Sequence, residues 1–399
     1  MSDSLRVSVY LRGLIALGLY LQLAGVCFIS DGSRYATITN ISLFATALVT
    51  LFLYRVPWRL SKRAVCALAA LCVWVIVVAV FNKGSVGQPW RWIRLVLYVW
   101  LYIYAISLVM QDRQLWRGLL LAVVCTASIF AWLSLFQALY VEQRGFGFRS
   151  FRLDSWGGHN MADFRNPIVS ALYFGVMAII ALYLFLYESG WRKWLSFQAF
   201  LAALLYCYFT YSRGVWGGVL AGALICLLFS LRFRNFLLLL VGSAPLMGGA
   251  LLFLHKAGGI DASYRDEIFW QWWLKLDTFL VFGAGAGADP EICIKSLRRC
   301  FNQAHSLYLQ FFYEYGLLGL FLLLSLIFVL LLNGWRYRFK REFAPLGLGL
   351  MAFVIVVSIA NYYVIFLRPG VFWIIFWLPV AILICEDSFT SRAEASARK

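Results

Sequence analysis

Long apolar runs separated by short polar stretches organise the whole chain. Runs of spanning length fall near residues 12–29, 36–54, 64–81, 92–110, 115–140, 167–187, 194–212, 214–231, 236–254, 316–333, 344–366 and 371–385. A bilayer core needs about 20 apolar residues per helix. The pattern therefore predicts a polytopic all-α membrane protein of about twelve transmembrane helices, with both termini on one side. The first run lacks a small-residue cleavage site followed by a soluble region, so it reads as the first span and not as a signal peptide. Two polar segments, 141–166 and 255–305, are far longer than the about 2–8 residues that usually join bundle helices. The expected organisation is one integral membrane domain over residues 1–399 with a basic outer loop at 141–166 and a large, helical outer loop at 255–305.

Composition narrows the class. The chain of 399 residues is 63% apolar and 13% charged, whereas a globular chain is about half apolar and a quarter charged. Disorder, a secreted disulfide scaffold and a soluble enzyme are excluded. Net charge is +17, from 35 Lys and Arg against 18 Asp and Glu. Most basic residues lie in short loops between apolar runs, so nucleic acid is not the expected partner; membrane lipids are. With a cytoplasmic N-terminus the inner loops carry Arg55, Arg59, Lys62, Arg63, Arg192, Lys193, Arg232, Arg234, Arg336, Arg338, Lys340 and Arg341. That is the positive-inside pattern, and it predicts that both termini are cytoplasmic.

The two outer loops break that pattern. Arg144, Arg149, Arg152 and Arg165 lie in the first; Lys256, Arg265, Lys275, Lys295, Arg298 and Arg299 lie in the second. Topology does not require cations there. They form either a solvated face against anionic headgroups or a site for an anionic substrate. Within the second loop, Tyr264, Ile268, Phe269, Trp272, Trp273, Leu276 and Leu280 recur at helical spacing. Ser263 and Asp266 fit a capping box, so a helix over 262–281 is expected, lying in the membrane interface. Arg265 falls in its first turn, against the helix dipole, where a bound anion would suit it. The Gly/Ala run from Phe282 to Ala288 has neither a strand nor a Walker lysine beside it, so helix termination and close packing is the better reading.

Seven cysteines (Cys27, Cys66, Cys72, Cys125, Cys207, Cys226 and Cys385) lie in or beside apolar runs and read as small buried hydrophobes. Cys293 and Cys300 share the large outer loop and are a disulfide candidate in an oxidising compartment. No zinc spacing is present, and Asp289 and Glu291 have no further ligand pattern, so no metal site is expected. Of the three histidines, His255 ends a span and His159 sits in a polar GGHNMAD loop. His305 stands where the large loop re-enters an apolar helix. Arg213 interrupts a continuous apolar stretch, where an unpaired charge is costly. Its guanidinium suits bidentate phosphate contact. Arg213, Arg265 and His305 thus converge on one membrane face.

These pieces resemble the O-antigen ligase/polymerase superfamily: SRGVW at 212–216, YRDEIFWQWW with FGAGAG behind it, and AHSLYLQFFYEYGLLGL at 304–320, in that order and around a long penultimate outer loop. Ser306 follows the histidine where asparagine is common in the family. The resemblance implies a GT-C-like glycosyltransferase of the bacterial inner membrane with its active site facing the periplasm. An O-antigen ligase moves a glycan from undecaprenyl pyrophosphate to lipid A–core, inverting and without metal or cofactor. It implies that Arg213 and Arg265 neutralise the leaving pyrophosphate and that His305 accepts the acceptor proton or orients the acceptor. Arg144, Arg149, Arg152, His159 and Arg165 are the expected substrate-binding residues of the other loop. O-antigen polymerase and protein O-oligosaccharyltransferase share this frame, although the latter usually has an added C-terminal region. A lipid or ion transporter is the alternative of a different class. It would show internal repeats with broken helices, and none is evident by eye.

Overall fold

The computed structural model describes residues 3–54, 60–144, 152–153, 164, 166–230, 265–294 and 299–385. Helix follows helix: α1 (Asp3–Ala24), α2 (Gly32–Thr39), α3 (Thr46–Tyr54), α4 (Lys62–Phe81), α5 (Pro89–Met110), α6 (Arg113–Phe136), α7 (Pro167–Tyr187), α8 (Gly190–Phe209), α9 (Arg213–Phe229), α10 (Arg265–Leu274), α11 (Leu307–Arg336), α12 (Ala344–Ala360) and α13 (Val371–Ile384). A π-turn over Asn40–Ala45 makes α2 and α3 continuous. Local sequence sets the starts. Asp112 accepts the Gln114 and Leu115 N–H groups at 3.0 and 3.1 Å, as an N-cap carboxylate does. Pro89 and Pro167 stand at the first position of α5 and α7, where the missing N–H costs nothing.

Among the described residues, seven helical stretches are long and apolar enough to cross a membrane: Tyr10–Cys27, Gly32–Leu53, Lys62–Phe81, Pro89–Met110, Arg113–Val141, Pro167–Tyr187 and Leu307–Arg336. The apolar helices α9, α12 and α13 are shorter. The protein is an all-α polytopic membrane protein. The span expected at 236–254 lies outside the described residues. That expected at 344–366 stops at Ala360, where Asn361 leaves helical backbone with φ −133°. Apolar side chains such as Phe52, Phe81, Leu228, Phe321 and Phe328 point outward, as lipid-facing positions do. The same geometry corrects the cysteine reading: Cys66 is exposed and Cys125 half-buried, while the other five free cysteines are buried.

The large loop is not purely helical. The helix expected over 262–281 is the shorter α10, followed by a 3₁₀ turn at Leu276–Thr278; Ser263 of the expected capping box lies outside the described residues. Two short antiparallel strands follow, β1 (Ile292–Ile294) and β2 (Arg299–Phe301), with Cys293 opposite Cys300. A disulfide joins these two cysteines.

Hydrogen bonds and ion pairs sort the helix ends onto two faces. On one, Arg113 pairs with Glu342 at 3.2 Å, Arg117 with Glu188 at 3.4 Å, and the Ser61 N–H donates to the Ile384 carbonyl. On the other, the Asn82 amide donates to Gly283 O, the Val86 N–H to Ala286 O, and the Leu153 N–H to Phe209 O. This second face carries the large loop and the turn between α8 and α9.

Candidate functional site

The turn from Thr210 to Ser212 reverses the chain between α8 and α9. Thr210 Oγ1 donates to Cys207 O at 2.6 Å, and the Trp216 indole donates to the same carbonyl at 2.9 Å while stacking on Tyr208. Tyr211 takes φ 52°. Ser212 occupies the N-cap position of α9, yet its side chain makes no cap bond. Its hydroxyl accepts instead from Asn361 Nδ2 at 3.2 Å. Arg213 is the first residue of α9 and is half-buried.

A second turn leads into α11. The buried Ala304 donates its N–H to Gln310 Oε1 at 3.0 Å. His305 follows with φ 54°, half-buried, its ring edge-on to Phe301 at 5.7 Å. Ser306 Oγ then donates to the Ser358 carbonyl at 3.2 Å. Ser358 and Asn361 lie one turn apart at the end of α12. One helix end therefore grips both the Ser212–Arg213 and the His305–Ser306 segments. The non-glycine residues with positive φ among those described are Gln143, Tyr211, Glu291 and His305. Such backbone costs about 1–3 kcal/mol and clusters at functional sites; Tyr211 and His305 put two of these positions here.

Arg265 is the first residue of α10. That helix packs through Ile268 and Trp272 on Phe279, Ile292 and Ala304, with Phe312 and Tyr313 of α11 beside them. Ala304 adjoins His305, so this small core seats α10 beside the turn that carries His305. Of the expected residues in the other loop, Arg152 lies against the site: its Nε donates to Thr210 O at 2.9 Å. Arg144 is exposed and pairs with Glu142 at 2.5 Å. Arg149, His159 and Arg165 lie outside the described residues. Lys275 gives its ammonium to the Pro290 and Glu291 carbonyls at 2.8 and 3.0 Å. Burial, then the charge of Asp289, raises the Tyr363 phenol above its ordinary value, which places the loop after α12 beside the large loop.

The Gly/Ala turn is a packing device. Its N–H groups are consumed in order: Gly283 by Phe279 O, Ala284 by Tyr313 O, Gly285 by Glu314 O, Ala286 by Ser85 Oγ, Gly287 by Glu314 Oε2 and Ala288 by Gly285 O. None of these six remains to cradle a phosphate. A Cβ on Gly285 (φ 126°) would sit 2.4 Å from the Gly84 carbonyl carbon, so only glycine allows the backbones to meet. Gln310, Glu314, Ser358 and Asn361 were not singled out from sequence. The available signal was polar residues four apart, Gln310 and Glu314, in an otherwise apolar helix. Among the described residues no three His, Cys, Asp or Glu side chains gather as a metal site.

Residues 198–324 match the O-antigen ligase family model. The O-antigen ligase match runs from α8 through the His305 turn to the middle of α11, so it takes in Arg213, Arg265, His305, the Gly/Ala turn and the disulfide. It does not reach Arg152 or the end of α12. None of the curated proteins matches the chain significantly. The O-antigen ligase match supports a function of the O-antigen ligase/polymerase type, a glycosyltransferase-like activity on glycan and lipid-linked substrates in the membrane.

Proposed function

We propose that the protein is an O-antigen ligase of the bacterial inner membrane. It transfers a glycan from undecaprenyl pyrophosphate to lipid A–core at the periplasmic face, within a GT-C-like frame of twelve spans with both termini cytoplasmic. In this reading residues 1–399 are one membrane domain, and the outer loops 141–166 and 255–305 flank the substrates. One observation carries it: the end of α12 holds the Arg213 and His305 segments together through Asn361 and Ser358.

The chemistry follows from the residues. An acceptor sugar hydroxyl attacks the anomeric carbon of the donor. A carbon–oxygen bond forms on one side as the bond to pyrophosphate breaks on the other, so configuration inverts. The electron pair leaves with undecaprenyl pyrophosphate, and the hydroxyl proton passes to His305. Arg213 and Arg265 neutralise the charge that grows on the pyrophosphate, the kind of fixed electrostatic stabilisation that dominates many active sites. A guanidinium keeps its charge at any physiological pH, and the donor linkage supplies the driving force without a cofactor. Arg152 supports the turn before Arg213, and Arg144, Arg149, His159 and Arg165 complete the substrate side of the shorter loop.

The test is purified protein with lipid-linked donor and lipid A–core. Transfer is expected, and His305→Ala is expected to lower it by about 10²–10⁴-fold with donor binding intact. Chain lengthening of the donor with no transfer to lipid A–core would instead identify a polymerase. Glycan on a protein acceptor would identify an oligosaccharyltransferase.

A further inference from the structure

We infer that Gln310 and Glu314 are positioning residues that set the backbone at His305; the inference rests on the role given to His305 above. Both side chains are buried, at 5% and 7% exposure, and they stand one turn apart on α11. A buried polar group is retained at a cost unless it is bonded, and here the bonds form one chain. The Ala304 N–H donates to Gln310 Oε1 at 3.0 Å. Gln310 Nε2 donates to Glu314 Oε1 at 2.9 Å and at the longer distance of 3.4 Å to Ala288 O, and the Gly287 N–H donates to Glu314 Oε2 at 2.9 Å.

The polarity of this chain is dictated by chemistry. A backbone N–H only donates and a carboxylate only accepts, so the group between them must accept at one end and donate at the other, as the Gln310 amide does at any pH. Gln310 supplies an acceptor at one end and a donor at the other. The chain stops at Ala304, the residue before His305. On the far side of His305, Ser306 is held by the Ser358 carbonyl. A left-handed backbone at a non-glycine residue persists only when its surroundings over-determine it, and these two anchors bracket that one residue. Glu314 also ties the Gly/Ala turn to the same bracket.

The experiment is a polarity swap in the full-length protein. In Gln310→Glu two carboxyls face each other, and the middle bond is lost once the pH is high enough that they no longer share a proton, so this variant is assayed on the alkaline side. In Glu314→Gln one of the two accepting oxygens becomes an amide nitrogen, so the bond from Gln310 or the bond from Gly287 is lost. In the double variant Q310E/E314Q, the new carboxylate at position 310 accepts from the Ala304 N–H and from the new amide at position 314. The oxygen of that amide accepts from the Gly287 N–H. These three bonds return, the middle one with its direction reversed; the longer bond from position 310 to Ala288 O does not, since a carboxylate cannot donate.

Each single variant is expected to lower transfer at saturating donor by roughly 10- to 100-fold. Donor binding should stay unchanged, and amide exchange in the 302–306 segment should speed up. The pH limb of transfer that disappears in His305→Ala should shift. The double variant is expected to recover most of the rate, the exchange protection and the pH limb together, short of native by the one bond to Ala288 O. Single variants that transfer at the native rate despite faster exchange would overturn the inference. So would donor binding lost in parallel with transfer, or a double variant that regains protection but not rate. If His305→Ala itself transfers normally, the fault lies in the role given to His305, so the two failures are told apart.

Discussion

Gly214→Ala tests whether the contact between α9 and the end of α12 sets the site. A Cβ on Gly214 would lie 1.9 Å from Asn361 Oδ1 and 2.8 Å from its Cγ. Asn361 is buried and donates to Ser212 Oγ, so it has little room to withdraw. The two segments must part by about an ångström, which is overpacking of the kind that costs about 1–3 kcal/mol. Losing the Asn361–Ser212 bond adds about 0.5–1.5 kcal/mol. Replacing a helical glycine by alanine returns about 0.5–1 kcal/mol. The net expectation is a loss of about 1–3 kcal/mol, with Arg213 displaced beside it. A shift of about 1 Å at a reacting site can cost about 10²-fold in rate, so transfer should fall further than stability suggests. Gly217→Ala on the same helix is the control, because its Cβ would meet only Val356 Cγ1, at 3.6 Å. The assay pairs transfer with thermal unfolding of the detergent-solubilised protein. Gly214→Ala as active and as stable as Gly217→Ala would refute the reasoning.

Other changes probe the remaining parts. Gly316→Ala should be worse than Gly214→Ala in folding yield, because Gly316 has φ 70° and a Cβ would lie 2.1 Å from Val281 O; equal yields would reject that kink as a requirement. Arg213→Lys keeps charge but loses the planar fork, so transfer should drop at unchanged protein level, and Arg213→Ala or Arg265→Ala should weaken donor binding while His305→Ala does not. The reverse pattern in a donor-binding assay would invert the roles. Serine at both Cys293 and Cys300 should loosen β1 and β2 while leaving appreciable transfer, checked by protease sensitivity alongside activity; complete loss of transfer would give the disulfide a role in chemistry. Excess EDTA should leave transfer intact, and rescue by added magnesium or manganese would reject the metal-independent mechanism.

The membrane class was legible because apolar runs of spanning length are the chain's strongest signal, and α4 to α7 fall close to where periodicity put them. The ends of helices were harder. The expected span at 316–333 is the distal part of α11, which begins at Leu307 and bends at Gly316; polar Gln310 and Glu314 hid its first turns from an apolar count. Cys66 looks buried by composition because lipid and protein interior favour the same residues, so hydropathy cannot separate them. Arg213 and His305 were legible as costly polar residues at apolar boundaries. Ser358 and Asn361 were not, since a serine and an asparagine near a helix end have many ordinary uses. Only the fold brings them to Ser306 and Ser212, more than fifty and more than a hundred residues away in the chain.

The placement of these two polar residues bears on how the site is built. Ser358 Oγ and Asn361 Oδ1 are buried and have no hydrogen-bond partner among the protein's described groups. Each such group costs about 1–3 kcal/mol. A bundle selected for stability alone would place apolar side chains at the end of α12, as it does one turn earlier at Val354 and Val357. The unsatisfied atoms lie beside the two positive-φ positions, Tyr211 and His305. Two such oxygens stand where α9, α11 and α12 meet; other such atoms stand elsewhere, among them Gln22 Nε2 in α1 and Trp116 Nε1 near the start of α6, so the end of α12 is distinguished by what lies beside them and not by their number. Buried polar groups held at a cost beside two left-handed backbone positions are what a site that presents polar groups to a substrate requires. Ser358 and Asn361, through their bonds to the Ser306 and Ser212 segments, mark the same meeting of helices as Arg213 and His305 do.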